Sequence, residues 1–253
     1  APPLAKDHRM IRLGMLTPSS NTALEPLTQA MVAPLGDVSA HFARFPVTEI
    51  ALSDAALGPF DDAPILRAAE LLAHAKVDVI AWNGTSSGWL GFEADTRLCE
   101  RITAATGIGA STSMLALNEV LHARGARRVG FVTPYTDDVQ ARILGNYGSL
   151  GFACAGERHF GLRDNFSFAE VPPERVGAAV AEVAASRPDA IAIICTNLRA
   201  AQLVGWLEQA HGIAVYDTVA LAVWKSLAIA GVDPSRVEGW GTLFANGQGK
   251  EAE

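Results

Sequence analysis

Cys195 directly follows the apolar run Ala190–Ile194 and precedes the polar pair Thr196-Asn197. A thiol at a strand end can give or take a proton, and helix N-termini around it would lower its pKa toward neutrality. Three further segments are rich in neutral donors and poor in charge: Thr17-Pro18-Ser19-Ser20-Asn21-Thr22, Asn83-Gly84-Thr85-Ser86-Ser87-Gly88 and Thr133-Pro134-Tyr135-Thr136. Hydroxyls, amides and backbone N–H groups at helix starts can together hold a carboxylate, because aligned peptide dipoles leave partial positive charge there. Helix capping also selects Ser, Thr and Asn and accounts for part of this composition. It does not account for polar clusters that follow four separate apolar runs.

The elements that must position these residues are legible from periodicity. Short apolar runs predict strands over Met10–Leu16, Ala40–Phe45, Val77–Trp82, Ile108–Ser111, Arg128–Val132, Phe152–Glu157, Ala190–Ile194 and Ala214–Tyr216. Segments of helical period lie between them, near Thr22–Met31, Asp62–His74, Ala94–Ala105, Met114–Ala123, Thr136–Leu150, Pro173–Ala185, Ala200–His211 and Val219–Ala230. This alternation is the pattern of an α/β fold, a parallel sheet covered on both faces by helices.

The chain also repeats itself. Gly14-Met15-Leu16-Thr17-Pro18 returns as Gly130-Phe131-Val132-Thr133-Pro134, and Asp78-Val79-Ile80-Ala81 with Gly84-Thr85 returns as Asp189-Ala190-Ile191-Ala192 with Cys195-Thr196. Ala105-Thr106-Gly107-Ile108 returns as Ala210-His211-Gly212-Ile213, with Thr112 echoed by Asp217. Three blocks in one order predict two similar lobes, each with a four-stranded parallel sheet flanked by helices, related by a pseudo-two-fold axis. The expected division is a first lobe over 10–112, a second over 113–217, a segment 218–245 that packs back on the first, and a frayed tail over 246–253. Ligands bind outside the carboxyl ends of such strands, so the four polar loops should meet in the gap between lobes. There Gly84 is the repeat counterpart of Cys195, so one face of the gap has a thiol and the other no side chain.

Composition narrows the partners. The 253 residues are 49% hydrophobic and 19% charged with a net charge of −7, which suits a packed core and gives nothing to attract a polyanion. Neither nucleic acid nor membrane is an expected partner, since no apolar run reaches the roughly 18–20 residues of a membrane-spanning helix. A cytoplasmic protein with a small mono- or dicarboxylate substrate is expected, and a homo-oligomer is left open. Cys99, Cys154 and Cys195 are odd in number and far apart, which fits neither disulfides nor zinc; Cys99 and Cys154 read as small buried hydrophobes. The six scattered histidines offer no metal ligand pair, and neither a dinucleotide fingerprint nor a phosphate loop is present. No cofactor and no metal are expected.

Thr-Pro-Ser-Ser-Asn-Thr after the first strand, Gly-Thr-Ser after the third, Thr-Pro-Tyr-Thr-Asp-Asp at 133–138 and a strand-end Cys195 make the chain resemble the aspartate/glutamate racemase superfamily, in its arylmalonate decarboxylase and maleate isomerase branch. The resemblance spans roughly residues 10–230 and implies the same two-lobed fold. Racemases of the superfamily have two facing cysteines, which would fall here at Gly84 and Cys195. Arylmalonate decarboxylase is similar in lacking the first, with a glycine, threonine and serine matching Gly84, Thr85 and Ser86, a tyrosine matching Tyr135, and a proton-donating cysteine matching Cys195. Maleate isomerase is closer at Pro18 to Asn21, where its asparagine contacts a substrate carboxylate, but has an attacking cysteine in place of Gly84.

The resemblance implies a cofactor-independent carbon–carbon lyase acting on a substituted, arylmalonate-type acid. Cys195, Thr85, Ser86 and Tyr135 are its catalytic residues; Pro18, Ser19, Ser20, Asn21, Asn83, Gly84, Thr196, Asn197 and Arg44 are its substrate-binding residues. Val47, Ile50, Trp89 and Leu90 are candidates for an apolar pocket around the departing carboxylate. Three alternatives stand beside it: isomerisation of a small dicarboxylate, two-base racemisation, and a carboxylate-binding module without turnover. Gly84 weighs against the first because covalent addition needs a nucleophile, and against the second because hydroxyls and amides are poor bases near neutrality.

Overall fold

The computed structural model describes residues 9–47 and 63–245. The segment 48–62, with Ile50, and the tail 246–253 lie outside the described residues. Two parallel four-stranded sheets form from the two halves of the chain, with strand order β2-β1-β3-β4 in the first and β6-β5-β7-β8 in the second. The first contains β1 (Ile11–Pro18), β2 (Val38–Phe45), β3 (Val79–Trp82) and β4 (Ala110–Thr112); the second contains β5 (Arg128–Thr133), β6 (Ala153–His159), β7 (Ala190–Ile193) and β8 (Ala214–Asp217). The repeated blocks thus occupy the same place in each sheet. Central strands β3 and β7 are buried along their whole length, as a parallel sheet covered on both faces requires.

Helices α1 (Leu24–Val32), α2 (Ala63–His74), α3 (Ser87–Leu90), α4 (Glu93–Thr106) and α5 (Ser113–Ala123) belong to the first half. The second half supplies α6 (Asp137–Ser149), α7 (Pro173–Ala184), α8 (Val204–His211), α9 (Thr218–Ile229) and α10 (Thr242–Ala245). Pro173 opens α7, where its missing N–H costs nothing. The largely buried helix α9 packs against β3 and β4 as well as β8, and meets α1 and α5. The short α10 packs on β8 and α9.

The repeated residues have matching physical roles. A Cβ on Gly14 would stand 2.9 Å from Val77 Cγ2 and 3.3 Å from Leu72 Cδ1, and one on Gly130 would stand 2.3 Å from Val183 Cγ1. Both glycines therefore let a covering helix lie close on the first strand of its sheet. At the opposite strand ends Asp78 accepts the Arg12 N–H at 2.8 Å, while Asp189 accepts those of Arg127 and Arg128 at 2.8 Å. These aspartates fix strand starts and lie away from the polar loops.

Some boundaries and the burial of two cysteines differ from the sequence reading. β1 runs on to Pro18 because its pairing with β2 continues through Thr17↔Arg44 and Pro18↔Phe45, and α8 begins only at Val204 after a 3-10 turn over Ala201–Leu203. Cys154 is exposed on the edge strand β6 and Cys99 is only partly covered, so neither is a fully buried hydrophobe. Among the described residues no helix is long and apolar enough to cross a membrane.

Candidate active site

Strand β7 delivers Cys195 to the polar loops: the Ile194 N–H still bonds to the Val132 carbonyl at 3.0 Å, and the chain then turns through Thr196 and Asn197. The Cys195 N–H donates to Thr218 Oγ1 at 3.1 Å, while the Asn197 N–H points at the sulfur at 3.3 Å. The thiol is only 2% exposed, yet its surroundings include the Tyr135 hydroxyl, two backbone N–H groups and the Asp217 carboxyl. Burial dominates its chemistry and pushes the thiol pKa up to about 12. The N–H groups of Asn197 and Leu198 and the Tyr135 hydroxyl oppose the rise, and Asp217 adds to it. The expected lowering toward neutrality does not occur, because removal from water outweighs the oriented donors. Cys195 is a protonated thiol across the neutral range.

Tyr135 connects this thiol to the first sheet. Its hydroxyl lies 2.6 Å from Thr85 Oγ1 and is also hydrogen-bonded to the Cys195 side chain. Burial, followed by Cys195, holds the phenol well above its usual pKa. The ring is fixed edge-on by Trp89 at 5.2 Å and by Phe168 at 5.5 Å. Thr85 ends the turn after β3, and the N–H groups of Ser86 and Ser87 open α3 without intrahelical acceptors. Ser86 makes no side-chain cap bond and remains partly exposed. Asn83 is buried beside it with its amide turned to the Leu16 and Ala81 carbonyls at 3.3 and 3.1 Å.

A second set of links joins the sheets at Asn21, Thr196 and Asn197. Asn21 Nδ2 donates to Thr196 Oγ1 at 3.3 Å, and Thr196 donates to the Asn83 carbonyl at 2.9 Å. Asn21 Oδ1 accepts the Ala23 and Leu24 N–H groups at 3.0 and 2.9 Å, while Asn197 Oδ1 accepts those of Thr22 and Ala23 at 2.9 and 3.1 Å. Helix α1 is therefore capped from its own loop and from the other sheet together. Asn165, which periodicity does not single out, donates to Ser20 Oγ at 2.7 Å and accepts through its carbonyl from Asn197 Nδ2. Its loop is held against the Tyr135 segment by Gly161 N–H to Tyr135 O at 3.0 Å and Leu162 N–H to Pro134 O at 2.8 Å.

Arg44 stands on the outside of this cluster. Its guanidinium pairs with Glu25 at 2.8 Å and donates to the Ser19 and Asn21 carbonyls, both at 2.9 Å. It braces the Pro18–Asn21 turn, where Ser19 Oγ also accepts the Val47 N–H at 3.0 Å. Trp89 is buried and Val47 and Leu90 are partly buried. Asp217 caps α9 through the Val219 and Ala220 N–H groups at 2.8 and 3.2 Å. Its other oxygen is buried without a partner, and burial raises its pKa to about 7 against those two N–H groups. Among the described residues no three His, Cys, Asp or Glu side chains gather as metal ligands.

The arrangement places a proton-bearing thiol, a phenol, hydroxyls and helix-start N–H groups around one gap between two parallel sheets, a site suited to acid–base work on a carboxylate. A model of the arylmalonate decarboxylase family matches residues 23–244, and the chain belongs to that family. It is 27% identical over 243 residues to the maleate isomerase of Nocardia farcinica strain IFM 10152, covering 92% of this chain and 95% of the relative. It is 26% identical over 169 residues to the arylmalonate decarboxylase of Bordetella bronchiseptica, covering 66% of this chain and 70% of the relative. Among solved structures, a serine variant of the Nocardia farcinica maleate cis-trans isomerase with a covalently bound succinylcysteine intermediate superposes with a TM-score of 0.82 at 25% identity, covering 92% of this chain and 98% of the other. The fold is shared with enzymes of both activities.

Proposed function

We propose that this protein is a cofactor-independent decarboxylase of a substituted malonate, with Cys195 as proton donor. The observation that carries the reading is the hydrogen-bonded chain Thr85–Tyr135–Cys195, which ends on a thiol held in its protonated form. When the bond from the α-carbon to the departing carboxylate breaks, CO2 leaves and the electron pair delocalises into the surviving carboxylate as an enediolate. Thr85, Ser86, Tyr135 and the N–H groups opening α3 stabilise that charge without reorganising. The Cys195 S–H then gives its proton to the α-carbon from one face, and water returns a proton to the thiolate. A donor whose pKa lies far above neutrality keeps its proton ready for a carbanion far more basic than itself. Trp89, edge-on to Tyr135, supplies apolar wall for the carboxylate that departs. The amides of Asn21 and Asn165 hold the one that stays.

Isomerisation of a small dicarboxylate is the second reading, favoured by the near full-length match to a maleate isomerase. Against it stand Gly84, which offers no nucleophile, and the raised pKa of Cys195, which withholds the thiolate that addition needs. The test is to supply purified protein with phenylmalonate and with maleate in parallel, following CO2 and the monocarboxylate in one and fumarate in the other. The decarboxylase reading expects CO2 release from the arylmalonate; fumarate formation without CO2 release would replace it by the isomerase.

A further inference from the structure

Gly84 is the position at which the sequence leaves a side chain out, but the space beside it is filled. A Cβ built on Gly84 would stand 1.8 Å from Cζ2, 2.2 Å from Cε2 and 2.5 Å from Cη2 of Trp82. Real Cβ atoms do not approach other atoms so closely, and the obstacle is a rigid ring. Nor can the indole easily withdraw. Trp82 is 4% exposed, lies 5.0 Å from the Phe45 ring, and packs in the same apolar cluster as Leu16, Ile80, Leu98 and Ile102. The backbone is equally constrained. Asn83 accepts from Thr196 at 2.9 Å, and Thr85 meets Tyr135 at 2.6 Å, so the residues on both sides of Gly84 are tied to the segments around Cys195. The glycine is not explained by a left-handed backbone, since its φ lies outside the positive range.

We propose that Trp82 is a specificity-determining residue that keeps position 84 free of any side chain, so that the face of the site opposite Cys195 presents backbone alone. This inference deepens the decarboxylase reading and rests on it for its chemical meaning. With Trp82 in place no second acid, base or nucleophile can stand at residue 84, and the carbanion is protonated from the Cys195 side only. Trp82 and Gly84 form one unit, and a side chain enters at 84 only when residue 82 becomes smaller.

The test is a double-mutant cycle on the whole protein, with Gly84→Cys and Gly84→Ala each made in the parent and in Trp82→Leu. Thermal unfolding is the first readout and needs no turnover. In the Trp82 background either substitution lowers Tm by roughly 5–10 °C, the scale of overpacking a filled core in a domain of this size. In the Trp82→Leu background most of that drop disappears. Gly84→Ala adds a single methyl and serves the cycle if Gly84→Cys does not fold. Equal drops in both backgrounds, or Gly84→Cys as stable as the parent, overturn the proposal. The second readout is the handedness of product from an α-methyl-substituted arylmalonate in Trp82→Leu/Gly84→Cys, which falls from single-handed toward a mixture. If the parent releases no CO2, the decarboxylase reading fails, while the Tm cycle still decides whether Trp82 governs position 84.

Discussion

Replacing Tyr135 by Phe isolates one oxygen atom at the centre of the site. The ring keeps its edge-on contacts with Trp89 at 5.2 Å and Phe168 at 5.5 Å, so packing is conserved. What is lost is the hydroxyl that lies 2.6 Å from Thr85 Oγ1 and is hydrogen-bonded to the Cys195 side chain. Leaving a buried hydroxyl and a buried thiol short of a partner costs about 1–3 kcal/mol of stability, which lowers Tm by roughly 2–10 °C in a chain of this length. The catalytic loss is larger if the phenol stabilises the enediolate, because one such donor is worth about 100–1000-fold in rate. It falls on kcat more than on KM, since the charge develops only in the transition state. Steady-state CO2 release from phenylmalonate, with unfolding curves of parent and variant, measures both quantities. A kcat within about threefold of the parent, where the full effect is 100-fold or more, would refute the assignment of Tyr135. So would a loss carried wholly by KM.

Three further outcomes follow from the same geometry. Native alkylation with iodoacetamide at pH 8 should mark the exposed Cys154 first and leave Cys195 unmarked, with Cys195 reacting only as pH approaches its pKa of about 12; mass spectrometry of the labelled peptides reports the order, and rapid labelling of Cys195 at pH 7 would contradict the protonated thiol. Asp217→Asn keeps the Oδ1 that caps α9 but removes a carboxyl whose pKa is raised from 3.8 to about 7 by burial. Because the folded chain holds this proton more tightly, the parent loses stability from the group as pH rises from about 4 through 7. The Tm difference, variant minus parent, should therefore grow over that window, and a flat difference would contradict the burial of the charge. Asn165→Ala removes the amide that donates to Ser20 and leaves the backbone carbonyl that accepts from Asn197; with one donor to a carboxylate lost, KM should rise about tenfold with kcat less affected, and unchanged KM would remove Asn165 from the site.

Much of the fold was legible because its signals are local. Apolar runs and helical period located all eight strands now seen, and the recurrence of Gly14 as Gly130 and of Asp78 as Asp189 reflects identical packing and strand-start roles in the two sheets. Cys195, Thr85 and Tyr135 were legible as strand-end residues, and the structure joins them in one hydrogen-bonded chain. What stayed hidden depends on tertiary contact. Asn165 lies in an aperiodic loop, held to the Tyr135 segment by the Gly161 and Leu162 N–H groups and to Ser20 in the first sheet's loop by its own amide. Trp82 reads as an ordinary buried strand residue, and its place against Gly84 follows from the turn of the backbone after β3. The direction of the Cys195 shift was misread because helix N-termini are visible as sequence, whereas the depth of burial that outweighs them is not. The pairing of Arg44 with Glu25, nineteen positions away, is likewise set by tertiary contact and is not visible in the sequence.

The central claim is that Cys195 delivers one proton to one face of a carbanion formed by loss of CO2. Turnover of a methyl-substituted phenylmalonate in D2O, read by mass spectrometry and chiral chromatography, tests it most directly. The account predicts one deuterium at the α-carbon, a single enantiomer, and no turnover after Cys195→Ala; a racemic product from the parent, or undiminished turnover in Cys195→Ala, would contradict it.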